Sequence, residues 1–587
     1  MYLYTGYLLH VDLSTRQTSK KAVPKEWVKA YWGGWGLAVK YFYESVPANV
    51  APFSPDNALV IMTGPFAATQ VPTSSRFCLV SKSPHTGTIF ESNAGGAFAP
   101  ELKLAGYDGL IITGKADSLV FLQIQDGNVL IRDASTMKGK GSFETEAMLK
   151  ESACSPDAKT LSIGPAGENL VTFACINTEY YRQFGRGGGG ALFGSKNLKG
   201  IVCRGSGSIQ VADMKAFLKK VDYYKHTSLL TNDNMWANEH GTSMLVAVTN
   251  EMGVHPTRNF TKGFNKDHAG LGSETVHNAK RGDRACTSCP LACGKFTHIN
   301  GAEVEGPEYE TLCLAGSNCE INDLEHVIRF NRLCDDLGLD TMASGNVIGL
   351  SMDMTEKKRF DFGLRFRDPE SCLTVISEIA LLSTQRGRDL AMGTRKLAKK
   401  YKSQDLATEI KGSELPAYDP RASYGMGLAY ATSERGACHM RAFPLFAENP
   451  FELETITRVV VEGQNFNAIK WSMGLCDFWG TINLDIIADL LSVGLGQKVI
   501  AQELLRSGEC IWNLCRLYNL KAGFTAEHDT IPQKIMTQKL ENGPHKGKVL
   551  SESDFQFMLK RYYQIRDWDE NGTPSVAKLA ELGLARI

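Results

Sequence analysis

Cys286-Thr-Ser-Cys289-Pro-Leu-Ala-Cys293 spaces three cysteines two and then three residues apart, with Pro290 and Gly294 beside them. Thiolates at that spacing can wrap one face of an iron–sulfur cube, with a fourth cysteine arriving from elsewhere. The best fourth candidate is Cys476, in Met473-Gly474-Leu475-Cys476-Asp477. Two plainer readings stand beside this one. A structural zinc site wants two short Cys/His pairs, and no second pair follows at the usual spacing. The three cysteines could also pack as small apolar side chains.

Five further stretches are rich in Gly, Asn, Ser and Arg: 63–76, 91–96, 164–169, 182–190 and 194–199. Such loops expose backbone amides and guanidinium forks, the groups that bind phosphates and polar heterocycles. Any one of them could be a plain turn. Five in one region point to a large, multiply charged cofactor. The glycine run at 187–190 lacks GxGxxG spacing after a first strand, so it is not a dinucleotide fingerprint.

The elements that must position these groups follow from periodicity. Residues 1–208 read as short strands and glycine turns: Tyr7–Leu13, Ala58–Met62, Phe77–Val80, Gly109–Thr113 and Leu119–Ile124. From 209 the apolar spacing turns helical, over Asp213–Asp222, Asp323–Cys334, Leu373–Leu382 and Leu484–Leu491. Lys411–Pro420 is a Gly/Pro-rich joint, and the tail from Phe524 is mixed and polar. The expected fold is α+β: a β-rich cofactor-binding domain (1–208) followed by two mostly α-helical domains (209–412 and 413–587).

Composition limits the setting. The chain has 587 residues, too many for one core. Lys plus Arg and Asp plus Glu each number 64, so no net field attracts nucleic acid or an anionic membrane. No apolar run reaches the ~18 residues of a membrane span. The N-terminus lacks a basic region and carries His10 and Asp12 in its apolar stretch, so it does not read as a signal peptide. Fifteen cysteines in such a chain suggest a reducing, cytoplasmic compartment.

Taken with two more motifs, these residues resemble the tungsten-dependent aldehyde:ferredoxin oxidoreductase family, from about Gly6 to about Trp479. Gly33-Gly34-Trp-Gly36-Leu37 is similar to the family's first turn. Arg76, Asn93, Gly95, Arg182 and Gly185 sit where the family contacts its pterin. Asp335-Asp-Leu-Gly338-Leu339-Asp340 matches the first of two pterin signatures, and Gly474-Leu475-Cys476 ends the second. The resemblance implies one [4Fe–4S] cluster on Cys286, Cys289, Cys293 and Cys476. It implies tungsten held by the dithiolenes of two pyranopterins, ligands that also hold molybdenum, with Mg²⁺ bridging the pterin phosphates. Glu310 matches the glutamate near the metal, with Glu308 as fallback, and His439 matches the active-site histidine.

The implied reaction oxidises an aldehyde to a carboxylic acid in an anaerobic cytoplasm. Glu310 would deprotonate water or the hydrated aldehyde, and His439 would donate to the developing oxyanion. Electrons would leave to ferredoxin or to a polyferredoxin-like subunit. The alternative on the same fold is the tungsten subunit of a class II benzoyl-CoA reductase-like complex.

Three positions depart from the family. Trp471 replaces an aspartate at the start of the second signature, which leaves one pterin contact open. Arg329-Phe-Asn-Arg332 replaces the ExxH pair that bridges some dimers with iron, and arginine cannot ligate metal, so no bridging iron is expected. A dimer or hetero-oligomer would use other contacts. His255 precedes Pro-Thr-Arg-Asn where an apolar residue is expected, with Glu251 four residues earlier. In the active cavity that pair would change the proton inventory; otherwise His255 is a surface-loop residue.

Overall fold

A computed structural model describes residues 1–299 and 302–585. The fold is α+β, with the strands concentrated in the N-terminal part. The first sheet contains β1 (Tyr7–Asp12), β2 (Gln17–Ala22), β3 (Leu59–Thr63), β4 (Phe77–Lys82), β5 (Ile89–Ala94) and β6 (Gly109–Thr113), in the order β2-β1-β6-β3-β4-β5. The second contains β7 (Val120–Gln125), β8 (Asn128–Asp133), β9 (Lys159–Ser162), β10 (Ile176–Thr178), β11 (Arg182–Phe184) and β12 (Leu198–Arg204), in the order β11-β10-β9-β12-β7-β8. Each of the five strands expected from sequence forms, with ends within two residues of the expected bounds.

Side chains alternate across a strand, and the first sheet is covered on both faces. Leu9, Val11, Leu59, Ile61, Phe77 and Leu79 enter a core shared with Leu122, Leu161 and Ile201 of the second sheet. Leu8, Val60, Met62, Cys78 and Val80 enter the core shared with the helices. Burial on both faces is why Leu59-Val-Ile-Met reads as a continuous apolar run.

Four helices match the expected periodicity: Met214–Tyr224, Leu324–Leu337, Pro369–Leu381 and Leu484–Leu495. Asp213 and Asp323 cap the first two, accepting from the amides of Ala216 and Glu325. The tail departs from expectation. Glu552–Arg566 is a helix with Phe555, Met558 and Tyr562 buried; its polar opposite face dilutes the apolar stripe in the sequence.

Two other expectations change. The glycine-rich stretches 164–169 and 187–199 serve packing as well as turning. The helix Gly189–Ser195 meets the short helix Pro165–Glu168 so closely that a Cβ on Gly194 would stand 2.0 Å from the Gly167 carbonyl oxygen. The stretch Lys411–Pro420 is buried throughout and crosses the interior.

The helix Gly34–Ser45 packs on β3 and β4 and on the long helices Leu453–Ser472 and Ala501–Lys521. At this junction lies Arg441, fully buried. Its Nη1 is 2.8 Å from Glu91 Oε2 of β5, and its Nε donates to Glu434 Oε1 at 2.8 Å. The guanidinium carbon stands 4.4 Å from the Trp35 ring centroid and 4.9 Å from that of Trp471. Arg441→Ala strips the cation from two buried acids. The expected cost is about 3–5 kcal/mol, typical of breaking a buried ion pair from one side, read as a lower denaturation midpoint. An unchanged midpoint would show that the pairing carries no stability.

Candidate functional site

The cysteine motif is a loop between two strands of a small antiparallel sheet, β13 (Lys280–Arg284) and β14 (Gly294–Ile299), completed by β15 (Ala302–Glu305). The loop is tied to the first sheet region: Thr287 N donates to Gly96 O at 3.2 Å, and Ser288 Oγ to Thr69 O at 3.3 Å. Cys476 comes from the turn after the helix Leu453–Ser472, and its amide donates to Thr73 O at 3.1 Å. These ties bring Cys286, Cys289, Cys293 and Cys476 around one cavity of about 220 Å³. Arg76, Asn93, Gly95, Arg182, Glu305 and Glu308 line it too.

The cavity sets buried thiols beside two arginines. Burial, with Cys476 and Cys286 close by, pushes the Cys289 thiol up to about 12. Burial also pushes Cys293 well up, against the pull of Arg182. Cys289 and Cys293 therefore ionise only with a positive partner. Arg76 is one: burial works against its charge, but Cys476, Asp477 and Cys286 outweigh it, and its Nη2 is 3.3 Å from Cys476 Sγ. Arg182 donates to Glu305 Oε1 at 2.9 Å. A Cβ on Gly95 would stand 3.0 Å from Cys286 Sγ, so glycine admits the thiol.

A second group lies around Glu310, on the short turn Tyr309–Thr311, and His439, which follows the helix Tyr424–Thr432. Glu310 Oε2 accepts from Ala417 N at 2.9 Å. Its Oε1 is 3.4 Å from His439 Nδ1 and has no hydrogen-bond partner. The two side chains keep 15 % and 17 % exposure, while Oε1 itself is enclosed. Burial raises the Glu310 pKa to about 8, opposed by the Ala417 amide and Arg186. Burial, then Arg186 and Arg435, lowers His439 to about 3. At neutral pH the pair is uncharged, with the proton on Glu310. Glu308 does not join it. Thr242 donates to Glu308, whose Oε1 lies 3.9 Å from Arg182, on the cysteine cavity.

The two signature motifs dock on the N-terminal sheets in the same way. Gly338 O accepts from Cys175 N at 3.0 Å, and Gly474 O accepts from Arg76 N at 3.1 Å. Leu339 bridges Ala174, and Leu475 is fully buried. Asp335 accepts from Gln183 at 2.8 Å and Asn331 at 3.0 Å. Asp340 caps the next helix through Met342 N and faces Arg186 at 3.4 Å. Gly185 lies apart from this packing: a Cβ there would meet nothing within 4 Å.

The departures resolve differently. Trp471 donates its indole N–H to Asp477 Oδ1 at 3.2 Å and stacks on Arg441. Arg329 pairs with Glu370, and Arg332 lies over the Phe143 ring. His255 is no surface residue. It is fully buried, while Glu251 is exposed at the end of the helix Leu245–Glu251. The turn at Gly253, with φ +69°, separates them, so they form no pair.

A family model described as the aldehyde ferredoxin oxidoreductase N-terminal domain matches residues 8–205, and one for domains 2 and 3 of the same protein matches 221–584. The tungsten-containing aldehyde ferredoxin oxidoreductase of Pyrococcus furiosus is 37% identical, aligned over 100% of both chains. The chain belongs to the aldehyde ferredoxin oxidoreductase family.

Other similar chains carry other descriptions. A Pyrococcus furiosus relative described as the WOR-like subunit of an aliphatic sulfonate oxidoreductase is 28% identical over 100% of this chain and 97% of its own. A chain of the BamBC active-site complex of benzoyl-coenzyme A reductase, solved with 1,5-dienoyl-CoA, has the same fold: TM-score 0.87, 24% identity, covering 100% of this chain and 97% of that one. No helix among the described residues is long and apolar enough to cross a membrane.

Several site residues carry no sequence signal of their own. Glu414, fully buried, lies 3.0 Å from His85 Nε2 and 3.5 Å from Arg186. Burial opposes its charge, but His85 and Arg186 hold it down at about 2. Arg435 donates to Glu91 O at 2.5 Å. A lone buried acid and a distant arginine look like ordinary surface residues until folding pairs them.

Thiol labelling checks the exposure pattern. Cys154 is exposed, the four cavity cysteines are half-buried, and the other ten are buried. In metal-free protein Cys154 and the cavity cysteines should label ahead of the ten. Equal labelling of Cys78 or Cys313 would contradict the arrangement.

Proposed function

We propose that this protein oxidises aldehydes to carboxylic acids at a tungsten bis-pyranopterin centre and passes electrons to ferredoxin or a partner iron–sulfur subunit. The observation that carries this reading is the neutral Glu310–His439 pair, with one carboxyl oxygen buried and unpartnered beside the imidazole. The full-length match to tungsten-containing aldehyde ferredoxin oxidoreductases supports it. Cofactor fit is supported by the donor set. Four thiols around one cavity suit a [4Fe–4S] cluster on Cys286, Cys289, Cys293 and Cys476. Buried polar atoms without partners, Thr73 Oγ1 and Asn93 Oδ1, stand beside them. Arg76, Arg182 and the open space at Gly185 suit an anionic pterin. When bound, the metal–pterin centre would supply a two-electron acceptor and Lewis acid, and the cluster a one-electron exit.

The reaction adds one water oxygen to the aldehyde carbon and releases two protons and two electrons. Glu310 takes a proton from water or from the hydrated aldehyde. With its pKa near 8 it sits close to working pH, where a carboxyl both accepts and returns protons efficiently. His439 stays neutral, so it acts as a fixed imidazole N–H donor to the developing oxyanion. Ala417 N–H orients the carboxyl by holding Oε2.

The BamBC likeness in fold keeps the benzoyl-CoA reductase-like alternative as the second reading, while the full-length 37% identity favours the first. Aldehydes are therefore the first substrates to test, with aromatic thioesters second.

Because the base form of Glu310 is the deprotonated one, turnover should rise with pH through a midpoint near 8. Glu310→Gln should lower kcat by about 10²-fold or more with tungsten and iron content unchanged. Wild-type turnover in that variant would remove Glu310 from the chemistry.

A further inference from the structure

His255 is a buried, nucleophile-capable group that the proposed chemistry does not use. Its ring is 0 % exposed. Burial, with His268 nearby, lowers its pKa to about 3, so the ring is neutral and carries a single N–H. Nε2 lies 2.8 Å from Ser317 Oγ. Nδ1 lies 3.0 Å from Thr249 Oγ1 and 3.4 Å from Tyr309 Oη.

Counting protons fixes the tautomer. Ser317 Oγ already accepts from Asn265 Nδ2 at 2.8 Å, and among the described residues His255 Nε2 is the acceptor within reach of its hydroxyl. Ser317 therefore donates to Nε2, and the ring proton sits on Nδ1. Thr249 sends its own proton to Leu245 O at 2.6 Å, which leaves its oxygen to accept from Nδ1. Tyr309 Oη faces the same N–H and keeps its proton for Ala417 O at 2.6 Å. The competing direction for that hydroxyl is Thr249 Oγ1, at 2.9 Å. Ala417 in turn donates its N–H to Glu310 Oε2.

We infer that His255 is a positioning residue for Glu310. As the Nδ1–H tautomer it holds the Tyr309 hydroxyl on Ala417, and Ala417 holds one Glu310 oxygen so that the other stays free toward His439. This rests on Glu310 being the proton-transfer group. Without the His255 N–H, the Tyr309 hydroxyl turns to Thr249 and the Ala417 segment loosens. The lost Ala417 N–H bond is one that lowers the Glu310 pKa, so the carboxyl midpoint moves up. Apart from Tyr309, whose hydroxyl turns, the other groups facing Glu310 are His439, Arg186, Asp340, Cys313, Tyr418 and Tyr430, and they stay as they are.

The test compares His255→Leu, His255→Asn, Tyr309→Phe and the His255→Leu/Tyr309→Phe double variant as holoenzymes. The Glu310 carboxyl is titrated by infrared difference spectroscopy, its band assigned by its loss in Glu310→Gln. His255→Leu should raise the midpoint by about half a unit to one unit, the worth of one hydrogen bond. It should lower kcat on the order of tenfold with KM little changed. His255→Asn, whose amide can donate from the Nδ1 position, should keep the wild-type midpoint. The double variant should be no worse than Tyr309→Phe, because His255 acts through that hydroxyl. A wild-type midpoint in His255→Leu, equal damage in His255→Asn, or additive losses would overturn the inference. If His255→Leu fails to fold, Tyr309→Phe alone decides: an unmoved midpoint overturns it. Full turnover in Glu310→Gln would instead remove the chemical role assigned to Glu310, while the infrared midpoint still reads the effect of His255.

Discussion

Charge buried away from water is the constraint on which this molecule depends. Segments far apart in sequence meet at its centre, and they bring arginines, acids and thiols with them. An unpaired buried charge costs several kcal/mol, so each must find a partner. Arg441 finds Glu91 and Glu434. Arg186 stands between Asp340 and Glu414, and His85 meets the same Glu414 oxygen. Every one of these pairings except Arg441–Glu434 joins an N-terminal residue to one from the helical part. The paired charges therefore act as joints as well as site components.

The apolar architecture makes those joints possible. The first sheet is buried on both faces, between the second sheet and the helices. Its strand ends deliver Arg76, Asn93 and Gly95 to the cysteine cavity. The glycine carbonyls of the two signature motifs accept amide hydrogens from Arg76 and Cys175, which fixes the helical part against the sheets. Between these contacts lie two polar centres of different character. The cysteine cavity sets thiols beside charged arginines, and the Glu310–His439 pair is neutral and partly exposed. Such a division suits separate electron and proton handling.

Much of this was legible in the sequence. The CxxCxxxC spacing and Cys476 identified four thiols that do converge. Period-two and period-3.6 patterns located five of the strands and four of the helices, because burial follows those periods directly. Three things were hidden, each for a physical reason. The helix Glu552–Arg566 has a polar face that blurs its stripe. The glycines at 190 and 194 look like ligand-binding turns, yet close helix packing demands the same residue. His255 could not be placed, because the turn at Gly253 decides whether it faces solvent or core. The acid–arginine pairs were invisible for a related reason: all but Arg441–Glu434 join residues far apart in the chain.

The most direct test of the cofactor reading is elemental mass spectrometry on protein purified without oxygen, quantifying tungsten, molybdenum, iron and zinc per chain. The expected result is about one tungsten with about four irons, as for a Cys₄ cubane. Zinc with neither tungsten, molybdenum nor iron would contradict it and return Cys286, Cys289, Cys293 and Cys476 to a structural role.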